Sequence, residues 1–522
     1  MNRLRRFVLN GLLMAFVSLL IRTVSVGFNV YISNKIGAVA MGLFSLISTV
    51  YGFGITLATS GIGLATTRLI ARALGDTENT DQSELSKDKL GNIRFILGRC
   101  VLYSLFFGTI ATVALGCFAE PIGVYILRDH RTVSSLKVLA ITFIPITVSS
   151  VLGGYFSAIR KVHKNAATQI LGQGAKIFGC IAFFSILGAR DVESACLSVV
   201  LGGAAAEIFS FLLSLLFYFA EKHGEKYHLS SKEKKAHTRE LLKNALPLAF
   251  SAYMRSALVT IEHILIPRGL EKSGNSRDVS LAAYGIVGSM VFPLVLFPSA
   301  ISASFAGLLI PEVAESHTIG DNRRICGIIS SVLETVLIFS IGCAGIIMCF
   351  SYELGATIYP TAENAGKYIL MIAPLIPVMY LDTAVDSMLK GLGEQVYSMG
   401  VNIADASISV ILVAVLLPIM GINGYIVTVY FTELLNAALS ITRLLIKSKV
   451  KTHTLLWVAR PLGCVILATR CCKLLFNGII STQSVWLEIL LSTALYLILL
   501  TLCGCIKPKN IIKSVRYMID KK

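Results

Sequence analysis

The stretch FVLNGLLMAFVSLLIRTVSVGFNVYI, residues 7–32, is apolar from end to end except for the single charge of Arg22. A helix needs roughly 20 mostly apolar residues to cross a hydrocarbon core about 30 Å thick. Comparable runs recur to the end of the chain, without the apolar-polar alternation of membrane β-barrel strands. The 522 residues are 55% apolar and only 15% charged, and the mean hydropathy is +0.74. We therefore predict an all-α polytopic membrane protein rather than a soluble one.

The apolar runs, bounded by charge, Gly or Pro, predict about fourteen transmembrane helices. The predicted regions are a six-helix lobe over 1–220, a cytoplasmic linker over 221–243, a second six-helix lobe over 244–446, and two further helices with a basic tail over 447–522. The lobes begin alike, with Asn10 followed by Arg22 and Asn244 followed by Arg255. This faint repeat fits transporters built from two related halves.

The net charge of +17 comes from Lys and Arg near predicted helix ends and in short loops. Such a distribution favours contact with anionic membrane lipids, and no aromatic-interleaved basic module points to nucleic acid. The N-terminus, the linker and the tail carry most of these cations, so we expect both termini to be cytoplasmic in the cell membrane. The exceptions are in the loop after the seventh predicted helix, which this assignment places on the opposite side although it carries Arg268, Lys272 and Arg277. The twelve cysteines are scattered, and we expect no bound metal.

Two arginines lie deep inside predicted spans. Arg22 is about 15 residues, or roughly 23 Å, into its helix, and Arg255 is about 12 residues into another. A buried charge costs about 2.5–3.5 kcal/mol on insertion scales, so both should face inward and make a cavity suited to phosphate. The alternative is a structural ion pair with Glu262 or Glu207. Arg68 is a further candidate for the cavity mouth, with interface anchoring as its alternative. The predicted substrate-binding residues are Arg22, Arg68, Arg255 and Glu262.

Polar side chains in two later helices form a candidate ion-coupling site. Asn402 and Asp405 are three residues apart and share a helix face, and Thr428 lies on the next helix. Oxygen-rich groups of this kind hold Na⁺ or exchange a proton in transporters. Hydrogen bonding between helices is the alternative interpretation.

Several segments resemble the family of stage V sporulation protein B and the polysaccharide biosynthesis proteins, which belongs to the same exporter superfamily as the MATE proteins and the lipid II flippases. The segments are Ile36–Phe44, Leu57–Gly61, Thr67–Leu69, Thr260–Leu270, Leu309–Glu312, Ala373–Pro377 and Leu389–Glu394. The resemblance implies two six-helix lobes in a V and an alternating-access cycle. It also implies that Arg22, Arg68 and Arg255 line the cavity, that Asn402, Asp405 and Thr428 form a Na⁺ site, and that the last two helices form a groove for a lipid tail.

These observations favour a flippase for an undecaprenyl-linked peptidoglycan or polysaccharide precursor, with spore cortex formation and contacts with cell-wall synthesis proteins as hypotheses. A cation-coupled multidrug exporter of the same fold is the alternative, although a cationic cavity suits an anionic substrate better. A non-transporting scaffold for wall synthesis also stays open. The short loops offer neither an acidic metal pair nor a nucleophile with its base, so we predict no enzymatic activity.

Overall fold

The computed structural model describes residues 2–59, 61–75, 85–188, 191–221, 231–450, 454–478 and 484–505. Every regular element in these residues is helical. The helices are α1 (Asn2–Thr59), α2 (Ile62–Gly75), α3 (Leu85–Pro121), α4 (Val133–Ala140), α5 (Phe143–Ala158), α6 (Val162–Leu187), α7 (Val192–Phe219), α8 (Ser231–Lys272), α9 (Arg277–Gly285), α10 (Phe292–Leu296), α11 (Ser299–Ile319), α12 (Asn322–Cys349), α13 (Ser351–Ile358), α14 (Ala365–Ile372), α15 (Ile376–Gly391), α16 (Gln395–Met420), α17 (Ile422–Ser448), α18 (Thr454–Gly478) and α19 (Val485–Leu502). The linker residues 222–230 and the tail 506–522 lie outside the described part.

Among the described residues, eleven helical stretches are long and apolar enough to cross a membrane. A twelfth is added if α4 and α5, which meet at a 45° bend, form one span. An all-helical, multi-pass membrane protein is therefore confirmed. The fourteen helices predicted from the sequence exceed this number.

The surface of these helices has the character expected of contact with lipid. In α6, only 17% of the most apolar window is buried inside the protein, and Phe178 and Ile186 are 76% and 74% exposed. A helix at the surface of a soluble protein would turn a polar face outward. The outward apolar face of α6 therefore needs a hydrocarbon environment.

The long helix α1 is broken at Gly37, between the first two predicted spans. Gly37 has φ 78° and ψ 172°, a conformation that is essentially confined to glycine because a Cβ would clash with the backbone. Gly37 therefore divides α1 into two helical stretches.

Contacts divide the chain into two compact units. One comprises Met1–Ala38, Lys272–Gly274 and Ile286–Lys522, and the other comprises Val39–Glu271 and Asn275–Gly285. We call them the C-unit and the N-unit, respectively. The lobes predicted over 1–220 and 244–446 stay a prediction.

The N-unit has an apolar core where α2, α3 and α5 pack together. Its fully buried members include Ile62, Cys100 and Val151. Elsewhere in this unit, α6 and α7 approach so closely that a Cβ on Gly202 would lie 2.4 Å from the backbone nitrogen of Cys180. Small residues allow this contact, as is usual between helices in membranes.

The C-unit has its own core between α11, α12, α15 and α17. The buried side chains are Val313, Ile325, Ile329, Leu333, Val385, Met388, Leu389, Leu392 and Leu444. The last two long helices are tied to α12, because the hydroxyl of Tyr496 donates to the carbonyl of Ile338 at 2.6 Å. The ammonium of Lys473 likewise donates to the carbonyl of Cys349 at 2.9 Å. Both contacts place α18 and α19 within this unit.

A charged network in the N-unit accounts for the arginines that run against the charge rule. Arg268 donates to the carbonyls of Tyr125 and Ile126, and Arg277 donates to the carbonyl of Leu127 at 2.6 Å. These carbonyls end the helical segment that follows α3, where partners within the helix are missing and the helix dipole favours a cation. Arg268 and Arg277 therefore have a capping role in the fold.

Candidate functional site

Arg22 lies on α1 in the C-unit and is half-buried. Its Nη2 atom donates to the carbonyl of Leu296 at 3.1 Å and to the Oγ of Ser299 at 3.3 Å. These two partners fix the guanidinium within a predicted span. The Nη1 and Nε groups make no hydrogen bond in the described part of the chain, so Arg22 keeps N–H donors for another acceptor.

The partners of Arg22 lie at a break in a membrane-spanning segment. A π-helical turn covers Ile286–Val291, α10 follows, and α11 begins only after Pro298. Proline has no N–H and deprives an earlier carbonyl of its helical partner. In a membrane such a carbonyl must find another donor. This requirement explains why polar side chains gather along the segment.

Three further side chains satisfy carbonyls of the same segment. Asn29 Nδ2 donates to Ser289 O at 3.0 Å, the carbonyl four residues before Pro293. The hydroxyl of Tyr359 donates to Met290 O at 2.9 Å, and that of Tyr380 donates to Val295 O at 2.7 Å. The side chains that satisfy these carbonyls come from positions far away in the chain.

The other predicted substrate-binding residues belong to the N-unit. Arg68, on α2, and Arg255, on α8, have exposed side chains. Glu262 lies seven residues after Arg255, so the two share a face of α8. The carboxyl group of Glu262 is close enough to the phenol of Tyr284 for an electrostatic interaction. The hydrogen bonds of Arg22 found in its own unit are made with Leu296 and Ser299, not with a carboxylate. Substrate binding by Arg22, Arg68, Arg255 and Glu262 stays a prediction.

A buried polar group that includes His263 also lies in the N-unit. His263 Nδ1 lies 2.8 Å from the hydroxyl of the fully buried Tyr284, and Ser45 Oγ donates to the same hydroxyl at 3.2 Å. These contacts tie α8, α9 and α1 together. No local sequence signal connects the three positions.

All three predicted ion-coupling residues lie in the C-unit, and two of them form hydrogen bonds within their own helix. Asn402 Nδ2 donates to Ser398 O at 2.8 Å, and Thr428 Oγ1 donates to Gly424 O at 2.9 Å. Both side chains still have oxygen lone pairs that accept from or coordinate another group. Asp405 lies on α16 with Asn402, and its role in coupling stays a prediction.

Two acidic residues outside the predicted set lie near Asp405. Glu433, on α17, is close enough to Asp382 and to Asp405 to interact electrostatically with each of them. Helices α15, α16 and α17 therefore bring three carboxyl groups into one region of the C-unit. Within the described residues, no three His, Cys, Asp or Glu side chains are grouped closely enough to hold a metal ion.

A cavity of about 140 Å³ opens between α12 and the last two helices. Its lining residues are Glu334, Ile338, Leu456, Trp457, Arg460, Pro461, Gly504 and Cys505. The lining combines apolar surface with one carboxylate and one guanidinium. A groove at these helices is the position that the resemblance implies for a lipid tail.

Comparison with known proteins agrees with this architecture. Residues 7–317 match the polysaccharide biosynthesis protein family. Stage V sporulation protein B of Bacillus subtilis (strain 168) is 25% identical over 504 residues, which cover 92% of each chain.

Two solved structures are similar in fold. The lipid II flippase MurJ in its inward closed conformation gives a TM-score of 0.65 at 13% identity, covering 94% of this chain and 98% of its own. An inward-facing multidrug resistance MATE family transporter of the MOP superfamily gives 0.64 at 14% identity, covering 84% and 100%. The chain thus belongs to the polysaccharide biosynthesis protein family, as a multi-pass membrane protein with the fold of MOP superfamily transporters.

Proposed function

We propose that this protein flips a lipid-linked sugar precursor, an undecaprenyl-linked peptidoglycan or polysaccharide intermediate, across the cell membrane by alternating access. The observation that carries the proposal is Arg22, a cation held inside a span by Leu296 O and Ser299 Oγ with N–H groups unused. Planar N–H donors suit phosphate and pyrophosphate, the groups that link such sugars to their lipid. The relative named a lipid II flippase shares the fold and supports this substrate class.

The proposal includes the other predicted residues. Arg68 and Arg255 would add positive charge to the path of the phosphate, with Glu262 beside Arg255 on α8. Asn402, Asp405 and Thr428 would bind Na⁺ or exchange a proton, giving a cation gradient a site on which to act. The groove at α18 and α19 would hold part of the lipid tail.

We also propose fourteen spans, with both termini cytoplasmic. The stretch Val17–Leu74 is 58 residues long, or about 87 Å at 1.5 Å per residue, which is enough for two crossings. Helix α8, with 42 residues, supplies a further crossing. Labelling of single cysteines introduced at each terminus, with a reagent that does not enter intact cells, tests this topology. Labelling of either terminus from outside would contradict it.

The test of function is transport by the purified full-length protein in proteoliposomes. Fluorescent lipid II and a lipid-linked polysaccharide precursor are supplied, and the wild type is compared with Arg22→Ala and Arg255→Ala after unfolding measurements show that each variant is folded. Flipping by the wild type that both variants lose would support the proposal. Equal flipping by all three proteins would remove both arginines from the site.

The alternatives are tested in the same vesicles. Extrusion of a cationic drug, with no flipping of either lipid, would favour the multidrug exporter. No transport of any substrate would favour a scaffold for cell-wall synthesis. Because one relative is named for sporulation, the spore cortex precursor is the peptidoglycan intermediate to test first.

A further inference from the structure

At the break that Pro298 makes before α11, one tyrosine satisfies the carbonyl of Val295. In a continuous helix the N–H of Ser299 would bond to the carbonyl of Val295, four residues earlier. Instead the hydroxyl of Tyr380 donates to Val295 O at 2.7 Å, while the backbone N–H of Ser299 interacts with the same hydroxyl. A side chain inserted into the helical ladder in this way is a recognised cause of a kink. Tyr380 is fully buried, so its position is defined by packing.

The next carbonyl, that of Leu296, is bound by side chains at the same distortion. The N–H of Ala300 bonds three residues back, to Phe297 O at 3.2 Å. Leu296 O accepts from the hydroxyl of Ser299 at 2.6 Å and from Arg22 at 3.1 Å. The carbonyl of Leu294 accepts from the N–H of Phe297 at 3.3 Å. Each carbonyl from Leu294 to Leu296 therefore has a donor, and Leu296 O is the one that holds Arg22.

Ser299 connects the two halves of this arrangement. Its backbone N–H meets Tyr380, while its hydroxyl accepts from Arg22 at 3.3 Å and donates to Leu296 O. Loss of the tyrosine hydroxyl would deprive the Ser299 N–H of this contact and would leave Val295 O without its donor. The first turn of α11 would then shift, and Arg22 would lose the fixed position of its partner Ser299.

We propose that Tyr380 and Ser299 are positioning residues for Arg22, which orient its guanidinium so that the unused N–H groups meet the phosphate of the lipid-linked substrate. The inference rests on the proposed function. It extends that function to two residues that need not touch the substrate. Both act by fixing the geometry of the broken helix around Leu296.

A second tyrosine in the same segment provides a matched control. Tyr359 donates to Met290 O at 2.9 Å and is also fully buried. Tyr359→Phe therefore removes the same kind of buried hydrogen bond from the same broken span. It differs from Tyr380→Phe in leaving Leu296 and Arg22 untouched.

The experiment measures initial flipping rates of fluorescent lipid II by the full-length protein against substrate concentration. We expect Tyr380→Phe and Ser299→Ala to raise KM about tenfold, the effect of losing one well-oriented hydrogen bond to a charged group, with little change in the maximum rate. Ser299→Thr retains the hydroxyl and should retain the wild-type KM. Tyr359→Phe should change KM less than Tyr380→Phe or Ser299→Ala does. Neither Tyr380→Phe nor Ser299→Ala should raise KM further in an Arg22→Ala background, because the effects of partners in one network are not additive.

Binding of undecaprenyl pyrophosphate in detergent, followed by native mass spectrometry, separates the two proposals. Weaker binding by Tyr380→Phe and Ser299→Ala than by Tyr359→Phe supports the positioning role even if lipid II is not flipped. If Arg22→Ala impairs flipping while Tyr380→Phe and Ser299→Ala match Tyr359→Phe, the positioning role is overturned and the proposed function stands. A wild type that binds no pyrophosphate lipid overturns the positioning role outright.

Discussion

Asp129→Asn is expected to destabilise the N-unit far more than Asp278→Asn, although both carboxylates bind the same arginine at the same distance. Arg131 Nη2 lies 2.8 Å from Asp129 Oδ2 and 2.8 Å from Asp278 Oδ1. The side chains differ in exposure, with 5% for Asp129 and 60% for Asp278. The pair thus separates the effect of burial from that of distance.

The magnitude follows from the contacts of Asp129. Its Oδ1 accepts from the backbone N–H of Arg131 at 3.1 Å and from the Nε of the same arginine at 2.9 Å. The Nε of Arg277 lies 3.7 Å from Asp129 Oδ2. Removing one partner of a fully buried pair costs about 3–5 kcal/mol. Because the two arginines keep some exposure, we reduce this to about 2–3 kcal/mol for Asp129→Asn. The exposed pair with Asp278 should contribute less than about 1 kcal/mol.

The assay is thermal unfolding of each purified variant in the same detergent, at low and at high salt. Asp129→Asn should lower the apparent melting temperature by several degrees at both salt concentrations. Asp278→Asn should have a small effect that disappears at high salt, because exposed charges are screened. Equal destabilisation by the two substitutions would refute the argument from burial.

Three further outcomes are expected. Gly202→Ala should weaken the packing of α6 on α7, because its Cβ would lie 2.4 Å from a backbone nitrogen, while Gly203→Ala, with open space around it, should be tolerated; apparent melting temperatures compare the two. Gly37→Ala should lower the free energy of unfolding by about 1–3 kcal/mol through backbone strain alone. The added Cβ would meet no atom within 4 Å, but the φ of 78° is strained for alanine. A melting temperature equal to that of the wild type would contradict this expectation. The sulfurs of Cys464 and Cys503 lie 3.7 Å apart, so a mild oxidant should link them, as peptide mass spectrometry without reduction would detect.

The class of fold was predictable because its signal is local. Every apolar run long enough to cross a bilayer is visible in the printed sequence, and a helix is the structure that satisfies backbone hydrogen bonds within a single run. The helix bounds and the count were less predictable. Gly37 interrupts α1 without ending it, and α4 and α5 share one apolar run at a 45° bend.

The candidate site was predictable only in part. A charge as deep as Arg22 must face protein or substrate, and the sequence identified it for that reason. The expected structural alternative was an ion pair, and the structure instead supplies a carbonyl and a hydroxyl. Asp382 and Glu433 were recognisable as intramembrane acids, but their proximity to Asp405 depends on how three helices pack.

The local pattern of residues was enough to predict a bundle of helices in a lipid bilayer, and a partner for Arg22 inside the membrane. That the partners are Leu296 and Ser299, more than 270 positions away, depends on how the helices pack, and so does the contact of Tyr380 with the carbonyl of Val295. The two kinds of information differ in range along the chain. Hydrophobic burial in a bilayer depends on some twenty neighbouring residues, whereas the donor that satisfies a carbonyl at a broken helix comes from whichever helix packs beside it.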